Sequence, residues 1–145
     1  MEALCRLSYS GGPAMIPATA AAVLATIPAV VDVRFHEVVI DCADPRALAR
    51  FWAGFTGYEL GGEDEDWASI RAADGSAIIG FQRVPEPKAV KNRVHVDFSA
   101  ADEQATARAI EAMGATRLWV SEDPNDPFVV LADPEGNEFC IVRSA

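Results

Sequence analysis

Segments in which apolar and polar residues alternate recur along the chain after residue 33. The clearest is NRVHVDFS, residues 92–99, where alternate positions are apolar and His95 and Asp97 fill two of the positions between them. Alternation with a period of two is typical of a strand that has one face covered and the other face open. The pattern predicts a strand here, with His95 and Asp97 together on the face that the core does not cover.

The segment RFHEVVIDCADP alternates in part and predicts a second strand of this kind, earlier in the chain. A helical pattern follows each of the two strands. The segment DPRALARFWAGFTG, residues 44–57, has apolar residues at helical spacing, begins with Asp44 and Pro45, and ends with Gly57. Aspartate favours the N-cap of a helix, proline its first turn, and glycine its C-terminal end. The segment AADEQATARAIEAMG has a similar pattern and ends at Gly114. Two helices are therefore predicted, one in each half of the chain.

The two halves repeat one order of elements. After the first helix, one strand is predicted to open at residues 58–60, and WASIRA and SAIIGFQRV form a hairpin around Asp74 and Gly75. After the second helix, the predicted strands are TRLWVSE, PFVVLADP and EGNEFCIV. A shift that brings Asp44 onto Asp102 also brings Glu37 onto His95. The predicted fold is α+β, with two βαβββ modules at about residues 33–86 and 92–145.

Residues 1–32 are predicted to form an N-terminal arm outside the domain of residues 33–145. Residues 13–31 are uncharged and rich in alanine, but three prolines interrupt them, so no membrane span is predicted. A signal peptide would need a basic start, whereas the charges of Glu2 and Arg6 cancel, so none is predicted either. A short helix over Thr19–Ile27 is expected to pack on the domain or on a partner. The alternative is that Met15 is the natural start.

Composition narrows the set of partners and the compartment. The chain has 145 residues, with 22 Asp and Glu against 12 Lys and Arg, and its net charge is −10. This charge repels nucleic acid and anionic membranes and would favour a cationic ligand. Cys5, Cys42 and Cys140 show no zinc-type pairing. We therefore expect no nucleic-acid partner, no membrane association and a reducing, cytoplasmic location.

Three segments resemble one family. DCADPRALARFWAGFTGYEL, RVHVDF and VVLADPEGNEFCIV are similar to the vicinal oxygen chelate superfamily, and most of all to its glyoxalase-like branch, over Arg34 to Arg143. Thr56 departs from the leucine usual at its position. The resemblance implies that the two modules curl their mixed sheet into a cup with the helices outside, and that two copies of the chain form a homodimer.

The resemblance also implies a ligand set for one divalent ion in the metal-dependent members. The corresponding or nearest polar residues of this chain are Glu37, Gln82, His95 and Cys140. Counting along the first module gives Ile79, which cannot be a ligand, so Gln82 is the polar candidate near it. Thiolate, imidazole and carboxylate donors favour zinc or iron, with nickel or manganese less favoured. A protein without metal, in which Cys140 only packs in the wall, stays the alternative.

Three functions are compatible with this resemblance. The first is a lyase, isomerase or dioxygenase that acts on a small oxygenated substrate, with Glu37 and His95 as acid, base or metal ligands that converge in the cup. Trp67 and Phe81 would form the apolar wall, and Ser69 and Arg71 would orient the substrate. The second is a metal-free protein that binds a small molecule or drug, as bleomycin-resistance proteins do. The third is a regulatory domain without a ligand.

Overall fold

The computed structural model describes residues 34–144. The first module consists of β1 (Val38–Cys42), α1 (Pro45–Thr56), β2 (Glu59–Glu63), β3 (Trp67–Arg71) and β4 (Ile78–Arg83). The second module consists of β5 (Val96–Ala100), α2 (Glu103–Ala112), β6 (Thr116–Val120), β7 (Phe128–Ala132) and β8 (Glu138–Arg143). The predicted α+β fold of two βαβββ modules is confirmed. The predicted arm and its boundary lie outside the described residues.

Each module forms one four-stranded mixed sheet. The strand orders are β1-β4-β3-β2 in the first sheet and β5-β8-β7-β6 in the second. The pairs β1 with β4 and β5 with β8 are parallel, and the other pairs are antiparallel. A helix connects each parallel edge strand to the rest of its sheet, as a parallel crossover requires. The first strands of the two modules, β1 and β5, therefore lie at edges of their sheets.

The ends of the helices follow the predicted signals. The Asp44 carboxylate accepts a hydrogen bond from the Ala47 N–H at 3.0 Å, and Gly57 ends α1 with a φ of 70°. The Asp102 carboxylate accepts from the Ala105 N–H at 2.8 Å. These bonds satisfy N–H groups that have no partner within the helix. Within residues 34–144, neither helix is long and apolar enough to span a bilayer.

One aromatic core joins the two modules. Trp52 of α1 is buried, with its ring centroid 6.0 Å from that of Phe81 in β4 and 5.2 Å from that of Phe139 in β8. Phe55 of α1 stacks on Phe139 and meets Phe98 edge to face, both with centroids at 5.3 Å. Burial of each such side chain contributes about 1.5–3 kcal/mol. Helix α1 therefore holds both sheets together.

The second module begins differently from the pattern. We expected the strand from residue 93 and Val94 on the covered face, but β5 starts at Val96 and Val94 is 76% exposed. The chain before β5 is tied to the start of β8, where the Glu138 carboxylate accepts a hydrogen bond from the Asn92 N–H. Because this hydrogen bond holds Asn92 at the start of β8, the residues between it and β5 lie outside the sheet, and Val94 is not in the core.

Candidate functional site

One face of the first sheet points away from helix α1. In β3, Ala68 and Ile70 are buried under the helix, and the alternate residues Trp67, Ser69 and Arg71 lie on the opposite face. The registers of β1 and β4 extend this second face with Val39, Asp41, Ile78, Gly80 and Gln82. We call this surface the open face. It carries three of the predicted substrate residues and the predicted ligand Gln82.

Glu37 and Phe81 lie elsewhere in the first module. Glu37 comes one residue before β1, and its side chain is 21% exposed, with its carboxylate 3.9 Å from the His36 imidazole. Phe81 is fully buried and packs on Trp52. We expected Phe81 in the wall of a substrate cavity. Side chains alternate along β4, however, so Phe81 points to the face that helix α1 covers, opposite to Gly80 and Gln82. The structure therefore places Phe81 in the core.

Three side chains with donor atoms meet on the second sheet. His95 Nε2 lies 3.3 Å from Asp97 Oδ1, and the donor atoms of His95, Asp97 and Cys140 all lie within 4.8 Å of one another. The parallel ladder pairs Asp97 with Cys140. His95 joins them because residues two apart in an extended chain point to the same side. The structure brings His95 and Cys140 together and adds Asp97 in place of Glu37 or Gln82.

The four-donor set implied by the resemblance does not fit these residues. Val39 pairs with Gly80 as Asp97 pairs with Cys140, so Gly80 and not Ile79 is the first-module counterpart of Cys140. Glycine offers no side-chain donor. The Cys140 sulfur is in a disulfide bond and is therefore not a thiolate. The donors that remain beside each other are the His95 imidazole and the Asp97 carboxylate, which Cys140 would join on reduction.

A pocket of about 720 Å³ lies between the edge strands β1 and β5. Val39 and Asp41 line it from β1, His95 lines it from the approach to β5, and Glu138 lines it from β8. The linker between the modules lines it over residues 84–94, and Glu135 and Asn137 line it from the turn before β8. Glu37 is not among the residues that line it. The convergence of Glu37 with His95 therefore stays a prediction, whereas the place of His95 in a pocket wall is a feature of the structure.

Glu138 fastens the linker that leads to His95. Its side chain is 14% exposed, accepts a hydrogen bond from the Asn92 N–H at 2.7 Å, and lies 3.6 Å from the Lys88 ammonium. Sequence analysis did not identify Glu138 as a pocket residue. The alternation in NEFC could have done so, because it places Glu138 and Cys140 on one face of β8. Asp97 carried a similar signal, two residues after His95.

The motif LADPEGNEF holds helix α1 in place. The buried Asp133 carboxylate accepts hydrogen bonds from the Trp52 indole at 3.0 Å and from the Asn137 N–H at 2.9 Å. The Glu135 carboxylate accepts from the N–H groups of Ala43 and Asp44 at 2.6 and 2.8 Å. Burial raises the pKa of Asp133, against these hydrogen bonds, which lower it. The motif therefore has a structural role in joining the modules.

Cys42 carries no nucleophilic chemistry. It is buried at 3% exposure and is a free cysteine. Burial, with further contributions from the nearby carboxylates of Glu135 and Asp133, raises the pKa of its thiol to about 12. A thiol must ionise to attack or to bind a metal. Cys42 therefore serves as a small apolar residue under helix α1.

Comparison with known families agrees with this architecture. The family described as the glyoxalase-like domain matches residues 37–142 of the chain. The protein belongs to this family. The match includes both modules, the His95 and Asp97 pair and the whole LADPEGNEF motif. A comparison with curated proteins finds no relative by sequence.

Solved structures share the glyoxalase-like fold with this chain. A glyoxalase/bleomycin resistance protein/dioxygenase family enzyme from Burkholderia phytofirmans has 21% identity and a TM-score of 0.62, covering 75% of this chain and 97% of its own. A bleomycin-binding protein from Streptomyces verticillus, complexed with copper(II)-bleomycin, has 20% identity and a TM-score of 0.57, covering 78% and 99%. A lactoylglutathione lyase from Agrobacterium tumefaciens has 16% identity and a TM-score of 0.57, covering 77% and 93%. At these identities the likeness shows the fold.

Proposed function

We propose that this glyoxalase-like protein is a lyase or isomerase that acts on a small oxygenated substrate, with His95 as its acid–base group. One observation carries the proposal: His95 lies 3.3 Å from the Asp97 carboxylate, in the wall of a pocket of about 720 Å³. A volume of about 300–1,000 Å³ is usual for a small-molecule site. The lactoylglutathione lyase of the same fold supports this class of reaction.

The pair has the parts that proton transfer requires. The His95 imidazole would take a proton from a carbon next to a carbonyl group, and the electron pair of the broken C–H bond would move onto the carbonyl oxygen as an enolate. Asp97 would orient the imidazole and stabilise the imidazolium that forms. If the deprotonated carbon carries a hydroxyl group, transfer of the hydroxyl proton to the enolate oxygen and return of the first proton to the former carbonyl carbon gives an isomerase. If the carbon on its other side carries a leaving group, departure of that group with its electron pair and a proton from the imidazolium gives a lyase. Asp97 is the positioning residue in this scheme.

A divalent ion at the same pair is an alternative to proton transfer by His95, because an imidazole nitrogen that binds a metal ion has no lone pair left to accept a proton. His95 and Asp97 would hold it, with Cys140 as a third donor on reduction. These donor types favour zinc or iron over magnesium. When bound, such an ion would supply Lewis-acid stabilisation to an enolate, and iron would allow dioxygenase chemistry. Glu37 and Gln82 are not among the residues that line the pocket, so the proposal gives them no place beside the ion.

Deuterium exchange tests the acid–base role without knowledge of the product. The protein is incubated in D₂O with a panel of 2-hydroxy and 2-oxo aldehydes, ketones and acids, and loss of the C–H signal next to the carbonyl group is followed by NMR. We expect His95→Gln to slow the exchange about 100-fold or more, because general acid–base catalysis contributes about 10²–10⁴-fold. Asp97→Asn should slow it less.

The matched control is His36→Gln, because His36 is the other histidine of the chain and is exposed. Its exchange rate should equal that of the wild type. Exchange that is the same in His95→Gln as in the wild type, or absent for every compound of the panel, contradicts the proposal.

A second candidate function is the binding of a small molecule without chemistry. The pocket favours it through its apolar lining, to which Val39, Val84, Val90 and Val94 contribute. The bleomycin-binding protein of the same fold supports it as well. A ligand that binds the wild type and His95→Gln equally, with no deuterium exchange, would favour this second candidate.

We further propose that the protein acts as a homodimer in the cytoplasm.

A further inference from the structure

The second sheet is buried on both of its faces. In β7, Val129 and Leu131 belong to the main core, whereas the alternate residues Phe128 and Val130 point to the opposite side. All four are at most 4% exposed. Helix α2 packs on β7, and a sheet with a helix on one side only usually leaves alternate residues exposed on the other side. The burial of Phe128 and Val130 therefore requires an explanation.

The corresponding side of the first sheet, the open face, differs in both composition and exposure. The ladders place Val130 where the first module has Ser69, and Val142 where it has Gln82. Val130 is 1% exposed and Ser69 is half-buried, while Val142 is half-buried and Gln82 is exposed. The second sheet is thus apolar and covered at positions where the first sheet is polar and open.

The sheet does not supply this cover from its own strands. The side chains that pack together on this side of the second sheet, which we call the apolar face, are Trp119, Phe128, Val130, Cys140 and Val142. Within residues 34–144, all of them belong to β6, β7 and β8. Side chains on one face of a sheet stand side by side, so they bury each other's flanks and leave their outer ends uncovered. A further layer from outside residues 34–144 is needed.

The disulfide bond of Cys140 indicates where that layer comes from. The chain has three cysteines, of which Cys42 is free and Cys140 is disulfide-bonded, so Cys5 is the partner that the chain offers. The chain from Cys5 to Arg34 can extend over up to about 95 Å, whereas four strands side by side span about 20 Å. Residues 13–31 carry no charge, which suits an apolar surface.

We propose that the N-terminal segment, residues 1–33, docks on the apolar face of the second sheet and is locked there by a disulfide bond between Cys5 and Cys140. The glyoxalase-like family match covers residues 37–142, so this segment is an addition to the family's domain. The docking does not depend on the acid–base chemistry of His95, because no residue of the apolar face lines the pocket.

The lock is reversible. A dithiol reductant opens it by thiol–disulfide exchange: the two thiols of the reductant close to a disulfide, and their two hydrogens pass to the sulfurs of Cys5 and Cys140. Oxidised glutathione forms the bond again and is itself released as two glutathione thiols. The locked form excludes a metal ion that uses Cys140, because a sulfur in a disulfide is not a thiolate.

Disulfide mapping of the full chain tests the lock. The protein is equilibrated with oxidised glutathione, alkylated in denaturant and digested with trypsin, which leaves Cys5, Cys42 and Cys140 on separate peptides, residues 1–6, 35–46 and 118–143. We expect the first and third peptides to be linked within one chain, and Cys42 to be alkylated. A bond to Cys42, a glutathione adduct on Cys140 in place of the link, or a link between two chains on a non-reducing gel overturns the lock.

The effective concentration of the Cys5 thiol at Cys140 tests the docking. It is obtained from the ratio of locked to reduced protein at a known ratio of oxidised to reduced glutathione. We expect it to be about tenfold or more higher in the native protein than in concentrated urea, because docking holds the two sulfurs near each other.

Substitutions in the apolar face show whether that face is the docking surface. Trp119→Ala removes the largest side chain of the face and should lower the native effective concentration about tenfold, the effect of one lost aromatic contact, whereas Trp119→Phe should stay within about threefold of the wild type. Leu118→Ala is the control, since Leu118 is the neighbouring apolar residue of β6, is 46% exposed and lies outside the apolar face.

Equal effective concentrations in native protein and in urea, or an equal decrease in Trp119→Ala and Leu118→Ala, overturn the docking. These measurements use no substrate and leave His95 unchanged. Their failure is therefore distinguishable from failure of the proposed reaction, which deuterium exchange measures.

Discussion

His95 and Asp97 are partners because of their spacing in an extended chain. Side chains two residues apart point to the same side, which places the imidazole and the carboxylate 3.3 Å apart. The ladder with β8 adds Cys140, a residue far away in sequence. The pair alone can transfer protons, whereas a metal ion would need the sulfur or further donors.

Elemental analysis of protein purified without added metal tests the ion. If the group of His95, Asp97 and Cys140 holds zinc or iron, we expect up to one ion per chain, loss of that ion in His95→Ala, and higher occupancy after treatment with a thiol reductant, because reduction frees a thiolate. His36→Ala should keep the metal content of the wild type. An ion that persists in His95→Ala lies elsewhere, and a metal-free reduced wild type contradicts the metal proposal.

At the scale of elements, the turn between β7 and β8 joins the second module to helix α1 of the first. Its Asp133 holds the Trp52 indole, and its Glu135 caps the start of helix α1 from the other module. Negative charge at a helix N-terminus also stabilises the helix dipole. The turn lines the pocket through Glu135 and Asn137. The same few residues therefore fix the helix and shape one side of the pocket.

Glu135→Ala should loosen the start of α1. It removes two hydrogen bonds from the carboxylate, and because water can replace it at this partly exposed site, we expect a loss of about 1 kcal/mol in the free energy of unfolding. Urea unfolding measures that loss, and amide exchange of Ala43 and Asp44 should become faster. Glu122→Ala, at an exposed glutamate after β6, is the control. Unchanged exchange at Ala43 and Asp44 would show that Glu135 does not hold the helix.

At the scale of the whole molecule, two aspartates whose pKa values shift in opposite directions make stability depend on pH. Burial raises the pKa of Asp133, so the folded state binds this proton more tightly than the unfolded state. Hydrogen bonding to the Ala105 N–H lowers the pKa of Asp102, so the folded state binds that proton less tightly. Stability from Asp133 falls as pH rises through its folded pKa. Stability from Asp102 is lost as pH falls through its folded pKa.

Two variants should separate these contributions in urea unfolding measured from about pH 3 to pH 7. Asp133→Asn should lower the free energy of unfolding by about 1–3 kcal/mol, because the new amide NH2 group would face the N–H donors of Trp52 or Asn137 and cannot accept from them. It should also remove the decline of stability with rising pH above about pH 4. Asp102→Asn, which can still cap α2, should lessen the loss below about pH 4. A pH slope above pH 4 that Asp133→Asn leaves unchanged would contradict the assignment.

Much of the fold and part of the site could be predicted before the structure. The caps at Asp44, Gly57 and Asp102, the two modules and the shared face of Trp67, Ser69 and Arg71 are local patterns, and the structure confirms them. Phe81 was misplaced because the face of a buried strand depends on its register with its neighbours. Ile79 was taken for the ligand position because counting from a turn cannot fix which residues pair.

The sequence by itself determined the elements, their order, the faces of the isolated strands and the proximity of His95 to Asp97, because these depend on the chain within a few residues. Only the tertiary structure decided that Cys140 lies beside Asp97, that Gly80 is its counterpart under the Trp67 ring, and that Asp133 reaches Trp52 across the two modules. The physical reason is that ladder register and the packing of one module on the other are set by contacts between residues distant in sequence. No periodicity along the chain encodes those contacts.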